Sequence, residues 1–139
     1  MKKNRKGFTL VELIVCIAIL AAISVAGTFG LMSTLKKNRI ADYKNDLSEV
    51  MRAAYSYTGM KGIYTDGSVT IEILVTEGLL DTSLYKKTNA LTCAIFNKDD
   101  NVYYTKNSNE LKFYMQKTDG TKLYMNQIAD DETIVTDCN

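Results

Sequence analysis

Residues 8–35 contain 28 positions and one charged side chain, Glu12. An α-helix needs about 20 apolar residues to cross a bilayer. Residues 13–35 supply 23 uncharged ones. A carboxylate near the start of such a segment is costly in lipid, so it needs a physical reason. The run follows a short leader with Lys2, Lys3, Arg5 and Lys6 and no acid. By the positive-inside rule this leader holds the N-terminus in the cytoplasm, against Lys36, Lys37 and Arg39 on the far side. A cleavable secretory signal has an apolar stretch of roughly 7–15 residues. The present run is longer and carries an acid. A plain signal anchor accounts for length and orientation but leaves Glu12 unexplained.

The charge balance excludes several function classes. The net charge of +1 hides an uneven distribution. The four leader bases face no acid, while the other 13 Lys or Arg face all 16 Asp or Glu. No basic patch with interleaved aromatics stands out, so nothing points to nucleic acid. The chain has no His, the commonest general base and metal ligand. Asp99-Asp100 and Asp130-Asp131-Glu132 offer oxygen ligands, but without EF-hand spacing they read as solvated loops. Neither a Gly-x-Ser-x-Gly elbow nor a phosphate loop is present, and no catalytic constellation or cofactor motif emerges. The expectation is a protein that is not an enzyme.

The amino-terminal pattern resembles the signal of type IV pilins and pseudopilins. In that family a prepilin peptidase cuts after a Gly that ends a basic leader. It then methylates the new terminal residue, commonly Phe, and a Glu stands five residues into the mature chain. Gly7, Phe8 and Glu12 match in type and spacing, and Thr9-Leu10-Val11 and Leu13 match in character. The resemblance is close over residues 1–35 and looser over the helical continuation. It implies that Gly7-Phe8 is a processing site. It also gives Glu12 a reason: in a dry helix bundle a carboxylate needs a positive partner, and cleavage creates one, the Phe8 α-ammonium of a neighbouring subunit. A Glu that merely reaches for the membrane interface is the competing explanation. One departure is clear. Many members carry Pro about 22 residues into the mature chain, where this sequence has Phe29 between Gly27 and Gly30, and no Pro at all. Those glycines either soften the helix or allow close helix packing.

Beyond residue 35 the apolar period changes. Ile40, Tyr43, Leu47, Val50, Met51, Ala54 and Tyr57 recur at three- and four-residue steps among charged positions. This is an amphipathic helix with one buried stripe. Thr58-Gly59 and Gly62 supply its stop. A helix over residues 8–57 would be about 75 Å long. Residues 68–80 fit either a strand or a short helix capped by Gly78, and the helix is preferred here. Strands are expected at 91–96, 102–105, 111–116 and 122–125, with 97–101 as a hairpin loop, Asp119-Gly120 as a turn and 133–136 as an edge strand. The expected architecture is α+β: a long helix, half membrane anchor and half amphipathic, under a meander of about four antiparallel strands.

Cys93 and Cys138 lie in the part expected outside the cytoplasm, where two cysteines read either as a disulfide or as two free thiols. A bridge would close a loop of about 46 residues and stabilise the domain by roughly 4 kcal/mol on the chain-entropy model. The resemblance favours the bridge, because pilins pair two cysteines near the C-terminus around a surface loop. Three segments follow: a leader at 1–7, a transmembrane and filament-core helix at 8–35, and a head at 36–139. The resemblance implies a structural subunit of a pilus or pseudopilus, first a single-pass membrane prepilin and then part of an extracellular filament. Its implied partners are other pilin subunits, the prepilin peptidase and a membrane assembly platform. The alternative is a signal-anchored extracellular binding domain that never polymerises.

Overall fold

The computed structural model describes residues 7–131 together with Ile134 and Cys138, apart from the side chains of Thr28 and Phe29. The basic leader and the edge strand expected at 133–136 lie outside the described residues. The chain divides into two compact units, Met1–Asn38 and Arg39–Asn139. Helix α1, Leu10–Lys61, runs through both. The remaining elements are strand β1 (Gly67–Thr70), helix α2 (Ile71–Thr76), strands β2 (Thr88–Asn89), β3 (Ala94–Ile95), β4 (Asn101–Asn107), β5 (Glu110–Gln116) and β6 (Lys122–Tyr124), and two short 3₁₀ helices (Thr82–Lys86 and Met125–Gln127).

The first unit consists of the apolar part of α1. Its large apolar side chains lie 51–80 % exposed, from Val15 to Phe8. By length and composition this stretch suffices to cross a membrane. An apolar surface all round a helix has no partner within the helix itself, so its burial must come from lipid or from other chains. The helix is continuous through Ala26-Gly27-Thr28-Phe29-Gly30. Ser24 and Thr34 turn their hydroxyls back onto the carbonyls of Leu20 and Gly30, at 2.7 and 3.1 Å.

In the second unit the amphipathic stripe is realised as the spacing requires. Leu47, Val50, Met51 and Ala54 are fully buried, Tyr43 nearly so, and Ile40 and Tyr57 flank them. Each large side chain so buried contributes about 1.5–3 kcal/mol. The helix outlasts the expected end at residue 57 and passes through Gly59 to Lys61. Its stop is Gly62, at φ 66°, where Ile63 N–H reaches the Thr58 carbonyl (2.9 Å) and Gly62 N–H the Gly59 carbonyl (3.3 Å). That pair of bonds is a Schellman cap, which needs a left-handed residue.

Residues 68–80 divide between the two readings. Gly67–Thr70 is a strand and Ile71–Thr76 a helix. The Thr70 hydroxyl caps the start of α2 through Ile73 N–H, and Gly78, at φ 74°, closes its end. The four-stranded antiparallel sheet has the order β1-β4-β5-β6. Val69, Val102, Tyr104, Phe113, Met115 and Leu123 belong to the core that includes the α1 stripe. Tyr103, Tyr114 and Tyr124 form a cross-strand row on the opposite face, with ring centroids 5.3 and 5.4 Å apart.

Two expectations need correcting. The strand expected at 91–96 is absent from this sheet. Only Ala94–Ile95 is extended, and it pairs with Thr88–Asn89 in a separate two-stranded ribbon. Leu91 and Phe96 enter the core from turns, and β1 takes the fourth place in the sheet. Residues 97–101 are therefore no hairpin loop, since β3 and β4 do not pair. The hairpin lies one connection later, where Asn107 faces Glu110 across the Ser108-Asn109 turn.

Candidate processing and assembly site

Gly7, Phe8 and Thr9 precede α1 in non-helical conformation, and Phe8 is 80 % exposed. Thr9 is the N-cap. Its hydroxyl accepts the Glu12 N–H at 3.3 Å and its carbonyl accepts the Leu13 N–H at 3.2 Å. Glu12 reaches back in return. Its Oε2 accepts from the Thr9 N–H at 2.9 Å and from the Thr9 hydroxyl at 3.1 Å. This reciprocal arrangement is a capping box, which satisfies donors that a helix start otherwise leaves open. A negative group in the first turn also complements the helix dipole.

The arrangement fixes where the acid sits. The Glu12 carboxylate is drawn toward the entry of the helix and lies at the N–H of Thr9, one residue from the Phe8 nitrogen. Both Thr9 contacts fall on Oε2. Among the described residues Oε1 has no hydrogen-bond partner, and an ionised carboxylate can accept about four bonds. Glu12 can thus cap its own helix and still receive a cation. The sequence also announces this capping role of Thr9, since Thr-x-x-Glu stands before an apolar run.

Cys93 and Cys138 are disulfide-bonded, with Cα atoms 4.9 Å apart. Cys93 holds a positive φ of 54° and donates its N–H to the Asn89 carbonyl at 2.9 Å. It stands in the turn before β3, outside the expected sheet strand. Cys138 is buried and Ile134 is 1 % exposed, so the bridge and this side chain tie these two positions to the core. Cys16 remains a free thiol on the apolar helix.

The acidic loops already have local partners. Asp100 Oδ2 accepts the Asn97 N–H at 2.9 Å, and Asp131 pairs with Lys117 at 2.6 Å. Glu132 lies outside the described residues. No group of three metal-ligating side chains occurs among the described residues.

The model of the prokaryotic N-terminal methylation motif matches residues 2–28. Neither a curated protein nor a solved structure matches the chain. The match covers Gly7, Phe8, Thr9 and Glu12 together with most of the apolar run, and it supports a type IV pilin-like prepilin signal at this end of the chain.

Proposed function

We propose that this chain is a pilin-like structural subunit, made as a membrane-anchored prepilin, cut between Gly7 and Phe8, N-methylated at Phe8 and assembled through its apolar helix into a pilus or pseudopilus. One observation carries the reading: the methylation motif stands at the head of an apolar helix whose large side chains are half or more exposed. Such a surface is satisfied first by lipid and then by equivalent helices of other subunits, where dense packing replaces acyl chains. The work of the protein is then assembly, and its partners are other subunits, the peptidase and the assembly machinery.

Glu12 supplies register in this scheme. Cutting the Gly7-Phe8 bond frees an α-ammonium at Phe8. In a dry bundle an unpaired carboxylate would be penalised by several kcal/mol, and a neighbour's ammonium removes that penalty. The free Oε1 is where that cation would bind while Oε2 keeps the capping box.

The capping box also favours a second reading, because it gives Glu12 a use within one chain. A signal-anchored domain that never polymerises would need Glu12 only as a helix cap. The variants Glu12→Gln and Glu12→Ala separate the two. Under the assembly reading both insert into the membrane and neither yields filaments by electron microscopy of shear fractions. Filaments at wild-type yield from Glu12→Gln, which retains a capping amide and lacks the charge, would reduce Glu12 to a cap.

A further inference from the structure

The sheet of the second unit leaves part of β5 uncovered on its β6 side. β6 pairs with β5 only over Tyr114, Met115 and Gln116, so among the described residues the first half of β5 has no strand on that side. Alternation identifies the groups that face the gap. Lys117 donates to the Thr121 carbonyl at 2.8 Å on the β6 side, and Glu110 pairs with Asn107 on the β4 side. Odd residues of β5 therefore turn their N–H and C=O toward β6, and even residues toward β4. Leu111 and Phe113 present theirs to a side without a strand. An open groove of about 830 Å³ follows this edge, lined by Tyr55, Leu111, Phe113, Tyr124 and Met125 among others. Tyr55 is 61 % exposed within it. An unpaired strand edge is a template for another strand.

We propose that this edge docks the same edge of a second copy of the chain, β5 against β5, antiparallel, with Leu111 opposite its own counterpart. A two-fold pairing that exchanges main-chain hydrogen bonds can centre on an outward-facing residue or on the residue between two of them, which allows any centre from 109 to 113. Centring on Glu110 or Lys112 would set two like charges directly opposite each other, which is destabilising. Centring on Phe113 would set Leu111 against Met115, whose edge is already taken by Leu123. Centring on Asn109 would set Leu111 against Asn107, which is occupied by Glu110. Only Leu111 remains. In that register Glu110 of each copy stands opposite Lys112 of the other, in the closely spaced, non-hydrogen-bonded positions. Both side chains are exposed, and neither has an ion-pair partner among the described residues. The edge is thus self-complementary in backbone, charge and apolar lining, and this selects a second copy as its occupant. Such a contact is isologous and closes on itself. It joins two subunits and cannot propagate. If the heads form the outside of a filament, as the reading above has it, the contact joins two filaments side by side.

The test uses the full-length chain in detergent micelles with Cys16→Ser. Leu111→Cys is treated with a short bis-maleimide and compared with Lys98→Cys, an exposed site elsewhere on the head. Paired strands hold such Cα atoms about 5.5 Å apart, so Leu111→Cys should cross-link to dimer well above the Lys98→Cys background. In the Leu111→Cys chain, Glu110→Lys alone or Lys112→Glu alone should lower dimer yield by about threefold or more, and the double exchange should restore it. Equal cross-linking at both sites, single reversals without effect, or a double exchange that fails to restore would each overturn the pairing. The result does not depend on whether filaments form, so it fails or stands separately from the pilin reading.

Discussion

Removing the Cys93–Cys138 bridge should be the most damaging small change to the head. The bridge joins residues 45 apart and encloses β4, β5 and β6. Opening a loop of that length restores conformational freedom to the unfolded chain worth about 4 kcal/mol at 25 °C on the chain-entropy model. A domain of this size is stable by only about 5–15 kcal/mol. The perturbation is Cys93→Ala with Cys138→Ala, which leaves no reactive thiol at either site. Near-ultraviolet circular dichroism isolates the head, because all nine tyrosines lie between positions 43 and 124. At about 4–8 °C per kcal/mol for a domain of roughly 100 residues, the melt should fall by about 15–30 °C. A fall below about 5 °C would refute the reasoning. It would mean that opening the bridge gives the unfolded chain little freedom.

Two further outcomes follow from single contacts in the head. A Cβ at Gly67 would lie 2.9 Å from the Tyr104 ring, and Tyr104 is 6 % exposed with little room to yield, so Gly67→Ala should cost about 1–3 kcal/mol in a urea melt. Lys87 Nζ sits 2.5 Å from Oδ1 of the buried Asp46, and that hydrogen bond holds the Lys87 ammonium above its ordinary pKa. Because the folded pKa is raised, the pair's contribution is complete below the unfolded value of about 10.4 and is lost as pH rises through the folded value. Lys87 is half exposed, so the loss should be about 1 kcal/mol at most. It should disappear in Asp46→Asn when stability is followed from pH 9 to 12.

The long helix and most of the sheet were legible because their signals are local. The stripe from Tyr43 to Ala54 has the helical period, residues 102–105, 111–116 and 122–125 contain observed strand, and Asp119-Gly120 marks the β5–β6 turn. The misread segments depend on distant partners. Gly67–Thr70 becomes a strand through pairing with β4, more than thirty residues away, and only Val69 among its four residues is buried. Residues 91–96 look like a strand because Leu91, Cys93, Ile95 and Phe96 are apolar or small. Their positions are set by a turn at positive φ and by the bridge to Cys138. The Ser108-Asn109 hairpin lacks the glycine that usually announces such a turn, with Ser108 itself taking φ 58°. At the candidate site Gly7, Phe8 and Glu12 were legible through the resemblance to the pilin signal, which they match in type and spacing. The capping role of Thr9 was hidden because the same stretch encodes processing and capping at once.

The central claim is that Gly7-Phe8 is a processing site and that Glu12 gains its partner only afterwards. Intact-mass and N-terminal peptide mass spectrometry of the protein from cells that express a prepilin peptidase tests it most directly. The account predicts a chain that begins at Phe8 and carries one N-methyl group there. A chain that keeps residues 1–7, or one cut elsewhere in the apolar run, would contradict it.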